Sequence, residues 1–420
     1  MTSEKPKFKF IDLFAGIGGF HQAMRKLGGE CVLACEIDTK CVDTYSINFP
    51  STPVVGDIRE LNPEDIPEFD VLCAGFPCQP FSKAGYQRGF KDEKRGKLFY
   101  RIIDILKVHK EAKFILLENV RNLADNKDNW NIIQTELLEC GFCITQDPLI
   151  LSPSHFHLPQ IRERVFILGI RKDLVDGRRI KDGVIRITDL DLGENLKKTN
   201  CDIGDAWKIL EEDVPDKYII SPEVERMIFA WDELRRATNV TRIGCPFWLS
   251  CFGVRMTDEE SKQAVGYEEM PEWKKRYYER NRNYYLEHKD IIDPWVDKYD
   301  MMNKIKLHQK FEWNCGGFVD DVHDTIIQVR QSGIRVKKPD FFPSLVAMRN
   351  TPIVWDKKKE HFRFITPREA GNLQNFDKNY IFNEVDNLTY RQLGNSVNVK
   401  VLEILGEQLF KLAKPCWSRK

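Results

Sequence analysis

Long apolar stretches are missing from this sequence of 420 residues. No run approaches the roughly 18 to 20 apolar residues that a membrane-spanning helix requires. The first ten residues, MTSEKPKFKF, lack the apolar core of a signal peptide. Internal repeats and low-complexity linkers are missing as well. We therefore expect a globular protein that stays in the cytoplasm and makes no contact with a membrane.

A net charge is also missing, because 64 Lys and Arg residues balance 64 Asp and Glu residues. The chain as a whole therefore exerts no electrostatic attraction on nucleic acid, and a basic face has to come from local segregation of charge. The length and an apolar content of 42% allow a large core and a second, smaller one. We expect two lobes.

Metal-binding patterns are scarce, although the chain has 12 cysteines. Cys140 and Cys143 form the one CxxC pair, and neither a second CxxC nor a neighbouring HxxxH completes a tetrahedral zinc site. The cysteines are scattered through apolar, strand-like runs of a long chain without a secretory signal, so reduced thiols are expected. No metal cofactor is expected.

Short apolar runs alternate with amphipathic helical stretches from Phe8 to about Ile170, which is typical of a doubly wound, largely parallel α/β sheet. The predicted strands are FKFIDLF, CVLACEID, DVLCAGF, FILLENV and RVFILGI, and the helices include FHQAMRKL, YRIIDILKVHK and NWNIIQTELLECGF. Beyond Arg171 the alternation stops, which predicts a second domain of another kind. Near the end, ITPREAGNLQNF predicts a helix with Thr366 as N-cap and Pro367 in its first position, and VKVLEILGEQLFKLAK predicts a final amphipathic helix.

A glycine turn, DLFAGIGGF, stands where the first strand ends and a helix begins. Glycines at such a turn let the backbone approach a ligand, although the same turn also simply connects strands to helices. Glu36 ends the second strand twenty residues after Gly16, a position from which a carboxylate accepts ribose hydroxyls. Asp57 follows the third strand and is placed to hold an adenine amino group. Since GxGxxG and GxxxxGKS are absent, a dinucleotide or triphosphate is disfavoured, and S-adenosylmethionine fits better.

One cysteine stands apart from the others: Cys78, in GFPCQPFS, directly after the predicted strand DVLCA. The carboxyl ends of parallel strands line the ligand crevice, so this thiol is expected to face the same place as the glycine turn. Pro77 and Pro80 restrict the backbone around it. Most single cysteines are structural, but this setting favours a nucleophile.

Two further motifs supply charged side chains. ENV places Glu118 at the end of the next strand, near the expected position of Cys78. In QIRERVFILGIR, Arg162 and Arg164 alternate along a predicted strand and reach one side together. Alternatively, two arginines that enter a strand form surface ion pairs of small energetic value.

Taken together and in this order, FAGIGG, GFPCQPFS, ENV, QIRER, REAGNLQNF and QLGNSVNVKV resemble the motifs of the cytosine-5 DNA methyltransferase family, of the bacterial restriction-modification type. The resemblance covers residues 8 to 171 and 365 to 405. It implies a doubly wound methyltransferase (Rossmann-like) sheet with a second, smaller target-recognition domain. The implied domains are a catalytic, cofactor-binding domain (1–195 plus 390–420), a target-recognition domain (196–364) and a hinge segment (365–391).

The resemblance also implies the reaction, which is transfer of a methyl group from S-adenosyl-L-methionine to carbon 5 of a cytosine rotated out of a specific duplex DNA sequence. Cys78 would be the nucleophile that forms a covalent bond with cytosine. Glu118 would hydrogen-bond the ring nitrogen 3 and the amino group. Arg162 would hold the base carbonyl oxygen, and Arg164 would orient Glu118. The product would be S-adenosyl-L-homocysteine.

The family motifs further imply two groups of binding residues. Cofactor-binding residues would be Phe14, Gly16, Ile17, Gly18, Glu36, Ile37, Asp57, Ile58, Phe76, Pro77, Asn395, Ser396 and Val397. Gln79 to Gly96 would form a loop that closes over DNA. Candidate DNA contacts are Gln79, Ser82, Lys274, Lys275, Arg276, Arg335, Lys337 and Lys338. The segment Trp273 to Lys289 fits equally well a solvated helix whose tyrosines pack on their own lobe.

Two rival functions share these motifs. One is an RNA cytosine-5 methyltransferase that acts on tRNA, and the other is a non-catalytic DNA-binding member of the family. The expected partners are double-stranded DNA and, as a functional pairing, a cognate restriction endonuclease, with the enzyme itself a monomer in the bacterial cytoplasm. Two departures from the family pattern are Asn375-Phe376-Asp377, where Phe-Pro is usual, and His157-Leu158 before Pro159.

Overall fold

The computed structural model describes residues 7–77, 96–180, 183–193, 196, 201–241, 246–345 and 351–414. The chain divides into two compact units. The first consists of Met1–Cys201, Pro343–Met348 and Pro367–Lys420, and the second of Asp202–Phe342 and Arg349–Thr366. The segment 343–348, which lies within the range predicted for target recognition, therefore belongs to the first unit. The functions of the two units stay predictions.

The described strands form two sheets. In chain order they are β1 (Phe8–Leu13), β2 (Gly29–Cys35), β3 (Val54–Val55), β4 (Val71–Gly75), β5 (Phe114–Val120), β6 (Phe142–Ile144), β7 (Leu149–Leu151), β8 (Arg164–Arg171), β9 (Phe247–Trp248), β10 (Lys310–Asn314), β11 (Ile326–Arg330), β12 (Gly333–Lys337), β13 (Ile353–Asp356) and β14 (His361–Phe364). In the first unit the order is β3-β2-β1-β4-β5-β8-β6, and β7 also pairs with β8. The five strands β1 to β5 pair in parallel, whereas β8 runs antiparallel to β5, β6 and β7. The predicted doubly wound, largely parallel sheet is confirmed.

The described helices follow the predicted pattern in the first unit. In chain order they are α1 (Gly19–Lys26), α2 (Thr39–Asn48), α3 (Gly96–Val108), α4 (Lys127–Glu139), α5 (Pro222–Ala237), α6 (Asp258–Val265), α7 (Glu272–Glu287), α8 (Lys289–Tyr299), α9 (Pro367–Leu373), α10 (Asp386–Asn395) and α11 (Val399–Lys411). Helix α9 begins at Pro367 and α11 is the final helix, as predicted. None of the helices in the described ranges is both long and apolar enough to cross a membrane.

Successive side chains of a strand point to opposite faces, so the buried strands put apolar side chains on both faces of the first sheet. Helices cover both faces. On one face, Ile11 and Ile115 share a core with residues of α3 and α4. On the other face, the Phe10 ring stands edge-on to His21 of α1, with ring centroids 5.4 Å apart. Phe114 contacts Phe410 of α11 in the same way at 4.9 Å.

The second unit has its own sheet, in the order β14-β13-β11-β12-β10-β9. Its core includes Trp231, Trp313 and other apolar residues of α5, α8 and the strands. Two tyrosines of α7 are buried: Tyr278 donates to the Ser261 hydroxyl at 2.8 Å, and Tyr285 donates to Asp293 at the same distance. The interpretation of α7 as a helix packed on its own lobe is therefore favoured for its tyrosines.

A close contact in the first sheet provides a test of its packing. Gly169 of β8 lies opposite Ile115 of β5, and a Cβ at Gly169 would stand 2.4 Å from the Ile115 side chain. We expect Gly169→Ala to lower the free energy of unfolding by about 1–3 kcal/mol, because a buried methyl group without space forces strain on its neighbours. Gly177→Ala is the control, since nothing lies within 4 Å of its Cβ position. Thermal and urea unfolding that ranked the two variants as equally stable would contradict this packing.

Candidate active site

The glycine turn after β1 extends the pairing of the sheet and fixes an acidic side chain. Phe14 and Gly16 both have positive φ angles, of 56° and 55°. The Ala15 amide donates to the Cys35 carbonyl at 2.9 Å. The Gly16 amide donates to Glu36 Oε2 at 2.7 Å, and the Asp38 amide donates to Glu36 Oε1 at 2.8 Å. The turn therefore holds the Glu36 carboxylate at the carboxyl edge of the sheet.

A cavity of about 560 Å³ opens at this edge, within the first unit. Nine of the predicted cofactor-binding residues line it: Phe14, Gly16, Glu36, Ile37, Asp57, Ile58, Phe76, Pro77 and Asn395. Three of the predicted catalytic side chains line the same cavity: Glu118, Arg162 and Arg164. Its size lies within the usual range of ligand pockets, roughly 300–1,000 Å³. Cofactor-binding and catalytic predictions thus converge on one space.

Four predicted cofactor-binding residues lie behind the cavity rather than on its wall. Ile17 is buried, and its carbonyl accepts a short hydrogen bond from the Tyr380 hydroxyl. Gly18 has a φ of 80° and no space for a Cβ, which would stand 2.4 Å from the Phe49 ring. Ser396 and Val397 pack against Gly19, at the start of α1. Direct contact of these four residues with a cofactor stays a prediction.

The cavity also has lining residues for which the sequence predicted no role. They are Cys35, Asp38, Cys41, Gly56, Arg59, Gly75, Leu98, Asn119, Val120 and Gly394. Most of these are immediate neighbours of predicted residues, so proximity in the motif was the available signal. Leu98, at the start of α3, and Cys41, in α2, are exceptions, because neither belongs to a motif nor adjoins a predicted residue. Asn119 has a defined role, since its side-chain amide donates to the Phe76 carbonyl at 3.0 Å.

Among the described residues, Arg59 holds the Asp57 carboxylate. The Arg59 amide donates to Asp57 Oδ1 at 2.9 Å, and the Arg59 Nε donates to both carboxylate oxygens, at 2.9 and 2.8 Å. The side-chain hydrogen bonds from Arg59 lower the pKa of Asp57 below its ordinary value. The carboxylate therefore stays ionised at the mouth of the cavity.

Glu118 and Arg164 form a buried ion pair. Glu118 is only 8% exposed, and Arg164 Nε lies 3.0 Å from its Oε1. Glu118 pairs with Phe166 and Val120 pairs with Arg164, so the charged residues are diagonal neighbours on adjacent strands. Burial raises the pKa of Glu118, while the guanidinium groups of Arg164 and Arg162 act in the opposite direction.

Arg162 does not alternate with Arg164 along a strand, as the sequence pattern predicted, because β8 begins at Arg164. Pairing with β5 starts where Val120 faces Arg164, so Arg162 precedes the sheet. Its side chain is buried, with only 3% exposure. Its guanidinium donates to Ser344 Oγ and to the carbonyls of Leu345, Gly394 and Ser396, at 2.6 to 3.2 Å. A role at the base carbonyl stays a prediction.

The predicted nucleophile Cys78, with Gln79, Ser82 and the loop predicted to close over DNA, lies outside the described residues apart from its last position, Gly96, where α3 begins. The strand before it is well placed, however. Gly75, the last residue of β4, pairs with Glu118 of β5. A Cβ at Gly75 would stand 3.7 Å from Glu118 Oε2. The chain therefore leaves β4 beside the buried carboxylate, three residues before Cys78.

The candidate DNA contacts on α7 lie on the second unit. Lys274 and Lys275 are partly exposed and Arg276 is exposed. Lys275 lies 3.6 Å from the Glu272 carboxylate and its ammonium stands over the Tyr267 ring at 5.2 Å. These cations share the first turns of one helix, where they present a basic surface.

The candidate contacts at the end of β12 have acidic or aromatic neighbours. Arg335 makes two hydrogen bonds with Glu312, at 2.7 and 2.9 Å. Burial lowers the pKa of Lys337 to about 8, and its ammonium stands 4.2 Å from the Phe341 ring centroid. Lys338 lies 2.9 Å from Asp340. Contact with DNA by either group stays a prediction.

A doubly wound sheet, acids at the carboxyl ends of β2 and β3, and the Glu118–Arg164 pair in one cavity are the features of an α/β enzyme whose ligand site lies at the carboxyl edge of its sheet. The chain belongs to the C-5 cytosine-specific DNA methylase family, whose pattern matches residues 8–411. It is thus an enzyme of the DNA cytosine-5 methyltransferase class. The predicted family is confirmed.

Similar proteins cover nearly the whole chain. The Type II methyltransferase M.HgiCI of Herpetosiphon aurantiacus is 33% identical, over 96% of this chain and 98% of its own. The Type II methyltransferase M.AluI of Cellulosimicrobium cellulans is 31% identical, over 96% and 92%. A crystal structure of the S. pombe Dnmt2 methyltransferase matches with a TM-score of 0.53 and 18% identity, over 96% of this chain and 98% of that one, and supports the fold alone.

The raised pKa of Glu118 gives a prediction for stability. The folded protein binds the Glu118 carboxyl proton more tightly than the unfolded chain does. Protonation of Glu118 therefore contributes to the free energy of unfolding below the ordinary pKa of 4.5, and this contribution is lost as the pH rises through the pKa of the folded state. Since Gln does not titrate, we expect the melting temperature of wild type to fall relative to that of Glu118→Gln as the pH rises from about 4.5 to 7. Scanning fluorimetry without ligand measures the difference in melting temperature between the two proteins. A difference that does not change with pH would contradict a raised pKa of Glu118.

Proposed function

We propose that this enzyme methylates carbon 5 of a cytosine in a specific duplex DNA sequence, with S-adenosyl-L-methionine as methyl donor and Cys78 as nucleophile. The observation that carries the proposal is the single cavity with two chemically different sides. Glu36 and Asp57 follow β2 and β3, on one side of β1 and β4, whereas Glu118 and Arg164 belong to β5 and β8, on the other side. All four residues line the cavity. A nucleoside cofactor and a pyrimidine base would meet in this space.

The donor set of the cavity fits S-adenosylmethionine. Two carboxylates, Glu36 and Asp57, suit ribose hydroxyls and a purine amino group, and would repel a cofactor that carries phosphates. Apolar side chains of Ile37 and Ile58 would contact the purine. Nothing lies within 4 Å of a Cβ at Gly16 or Gly56, so both leave room for a ligand. When bound, the cofactor supplies an electrophilic methyl group.

Glu118 and Arg164 would act on the cytosine ring. A carboxyl group with a raised pKa can share a proton with ring nitrogen 3, which makes carbon 6 more electrophilic when a thiolate adds. Arg164 holds Glu118 Oε1 through its Nε, so Oε2, on the side of Gly75, is oriented toward the incoming base. The pair therefore fixes the direction of the hydrogen bond that the base would accept.

Cys78 would form a covalent bond to carbon 6, because carbon 5 of cytosine is a weak nucleophile until a group adds at its neighbour. The sulfur supplies the electron pair, and carbon 5 gains the electron density that forms the new carbon–carbon bond to the methyl group. Loss of the carbon 5 proton to a base then expels the thiolate. Since carbon 6 is inaccessible in a stacked duplex, the cytosine has to be rotated out first.

DNA recognition would fall to the second unit, which the resemblance identifies as the target-recognition domain. The basic turns of α7, with Lys274, Lys275 and Arg276, would contact the phosphate backbone. Arg335, Lys337 and Lys338 at the end of β12 form a second candidate surface. Since the relatives are Type II methyltransferases, a restriction endonuclease with the same recognition sequence is the proposed functional partner.

The proposal predicts a methylation pattern in cells. Plasmid DNA from cells that express the wild-type chain should carry methylated cytosines in one sequence context, detected by bisulfite sequencing, and Cys78→Ala should abolish them. Cys201→Ser is the matched control, because Cys201 is partly exposed and donates to the Leu158 carbonyl, a bond that serine can keep. The control should methylate like wild type.

Three outcomes would refute parts of this proposal. Methylated tRNA without any modified plasmid cytosine would assign the enzyme to RNA. Methylation that persists in Cys78→Ala would remove the thiol from the reaction. A wild-type chain that binds S-adenosyl-L-homocysteine but modifies neither nucleic acid would be a non-catalytic member of the family.

The cofactor assignment has a test of its own. Glu36→Gln should weaken the binding of S-adenosyl-L-homocysteine about 10- to 100-fold, because a hydrogen bond to a charged group contributes about 1.5–3 kcal/mol. Isothermal titration calorimetry measures the dissociation constant. Asp43→Asn is the control, since Asp43 makes an exposed ion pair with Lys40 on α2. Equal affinities of the two variants would remove Glu36 from the cofactor site.

A further inference from the structure

Arg162 fastens together three segments that are far apart in sequence. Its Nη1 donates to Ser344 Oγ at 3.2 Å and to the Leu345 carbonyl at 2.9 Å. Its Nη2 donates to the carbonyls of Gly394, at 2.8 Å, and Ser396, at 2.6 Å. All of these residues belong to the first unit. One buried guanidinium group thus joins the start of β8, segment 344–345 and the end of α10.

The position of Arg162 is between two ligand-sized spaces. It lines the cavity that holds Glu36 and Glu118, and it also lines a second cavity of about 540 Å³. The second cavity is polar, with Arg121, Asn122, Asp125, Glu163 and Ser344 on its wall. The charge of Arg162 also acts on Glu118, whose pKa it lowers. Arg162 is therefore part of the wall of both cavities, bonded to the residues on either side of Asn395 and close enough to Glu118 to act on its pKa.

The geometry of the guanidinium group makes this connection stiff. Its N–H donors form a planar fork with fixed angles. When the acceptors on one side move, the guanidinium group therefore has to move with them or lose its hydrogen bonds to them. The acceptors on one side include Gly394, whose neighbour Asn395 lines the cofactor cavity. Those on the other side include Ser344, on the second cavity. A ligand that orders one side therefore lowers the cost of ordering the other.

We propose that Arg162 is a positioning residue that couples the two ligands: through its bonds to residues 344–345 and 394–396, occupancy of the cofactor site strengthens binding of DNA, and the reverse. The inference rests on the proposed function, since it takes S-adenosyl-L-homocysteine and duplex DNA as the ligands. By thermodynamic linkage the two effects are equal in size. Arg162 then transmits the effect of cofactor binding to the DNA-binding residues, and this role does not require contact with the base carbonyl.

Arg171, at the other end of β8, is a matched control. Its guanidinium also donates to backbone carbonyls of several segments, including Ala112 at 3.0 Å, Cys140 at 2.8 Å and Lys110 at 2.6 Å. It lines neither cavity. Substitution of either arginine removes a comparable number of hydrogen bonds to backbone carbonyls, although Arg171 is partly exposed and Arg162 is buried.

The experiment measures the dissociation constant of S-adenosyl-L-homocysteine by calorimetry, with and without a saturating duplex that carries the sequence found by bisulfite sequencing. The ratio of the two constants is the coupling factor, and we expect about 10-fold or more for wild type, within the usual range of 5- to 150-fold. Arg162→Lys keeps the charge but loses the fork. We expect its coupling factor to fall to about 1–2, and that of Arg171→Lys to equal wild type.

Each outcome decides the inference. A wild-type coupling factor near 1, or a factor that Arg162→Lys retains, would overturn it. A loss of coupling in both Arg162→Lys and Arg171→Lys would show that any weakening of the fold abolishes coupling, and this result would also overturn the inference. A wild-type protein that binds neither ligand would refute the proposed function itself, and the inference with it.

A second variant covers the case in which Arg162→Lys does not fold. Ser344→Ala removes one acceptor of the guanidinium group and leaves the other three in place. We expect its coupling factor to fall about two- to threefold below wild type, with little change in the affinity for S-adenosyl-L-homocysteine alone, because Ser344 accepts one of these four bonds and, at 3.2 Å, the longest of them. An unchanged coupling factor would count against the proposal.

Discussion

The ion pair of Glu118 with Arg164 depends on the direction of β8, the one described strand of the first sheet that runs opposite to the others. β5 is parallel to β4 and ends at the ligand edge, so Glu118 arrives there at its carboxyl end. β8 is antiparallel to β5, so Arg164, its first residue, stands at the same edge. In a parallel arrangement the two would lie at opposite edges. A buried carboxylate without this partner would be strongly destabilising, so the direction of β8 makes the site possible.

Much of this arrangement could be predicted from the sequence. The strands β1, β2, β4, β5 and β8 and the glycine turn follow from apolar runs and turn residues, and the nine cavity residues follow from the resemblance to the family motifs. The position of Arg162 could not, because an alternating pattern does not show where pairing with the next strand begins. Nor could the orientation of Ile17, Gly18 and Val397, since membership in a motif indicates proximity to a ligand but not which side chains face it.

The second unit was harder to predict, for a physical reason. Its strands are only two to five residues long, which is too short for an alternating pattern to mark them, although they pair nearly in chain order, with β12 between β10 and β11. The aromatic and basic residues of α7 are ambiguous in sequence, because Lys, Arg and Tyr suit both a phosphate surface and a packed helix. The structure separates them by burial: Tyr278 and Tyr285 face inward, while Arg276 stays exposed.

The cofactor cavity is built from both ends of the chain. The Asp377 amide donates to the Gln22 side chain at 2.9 Å, and Arg391 pairs with Asp38 at 2.6 Å, so segment 377–395 docks on the residues that follow β1 and β2. Contacts across about 350 residues cost loop-closure entropy before they gain energy. The cavity wall that contains Asn395 therefore forms only when these two distant segments have come together. A ligand that binds there stabilises this long-range closure by mass action, which makes cofactor binding and completion of the fold parts of one equilibrium.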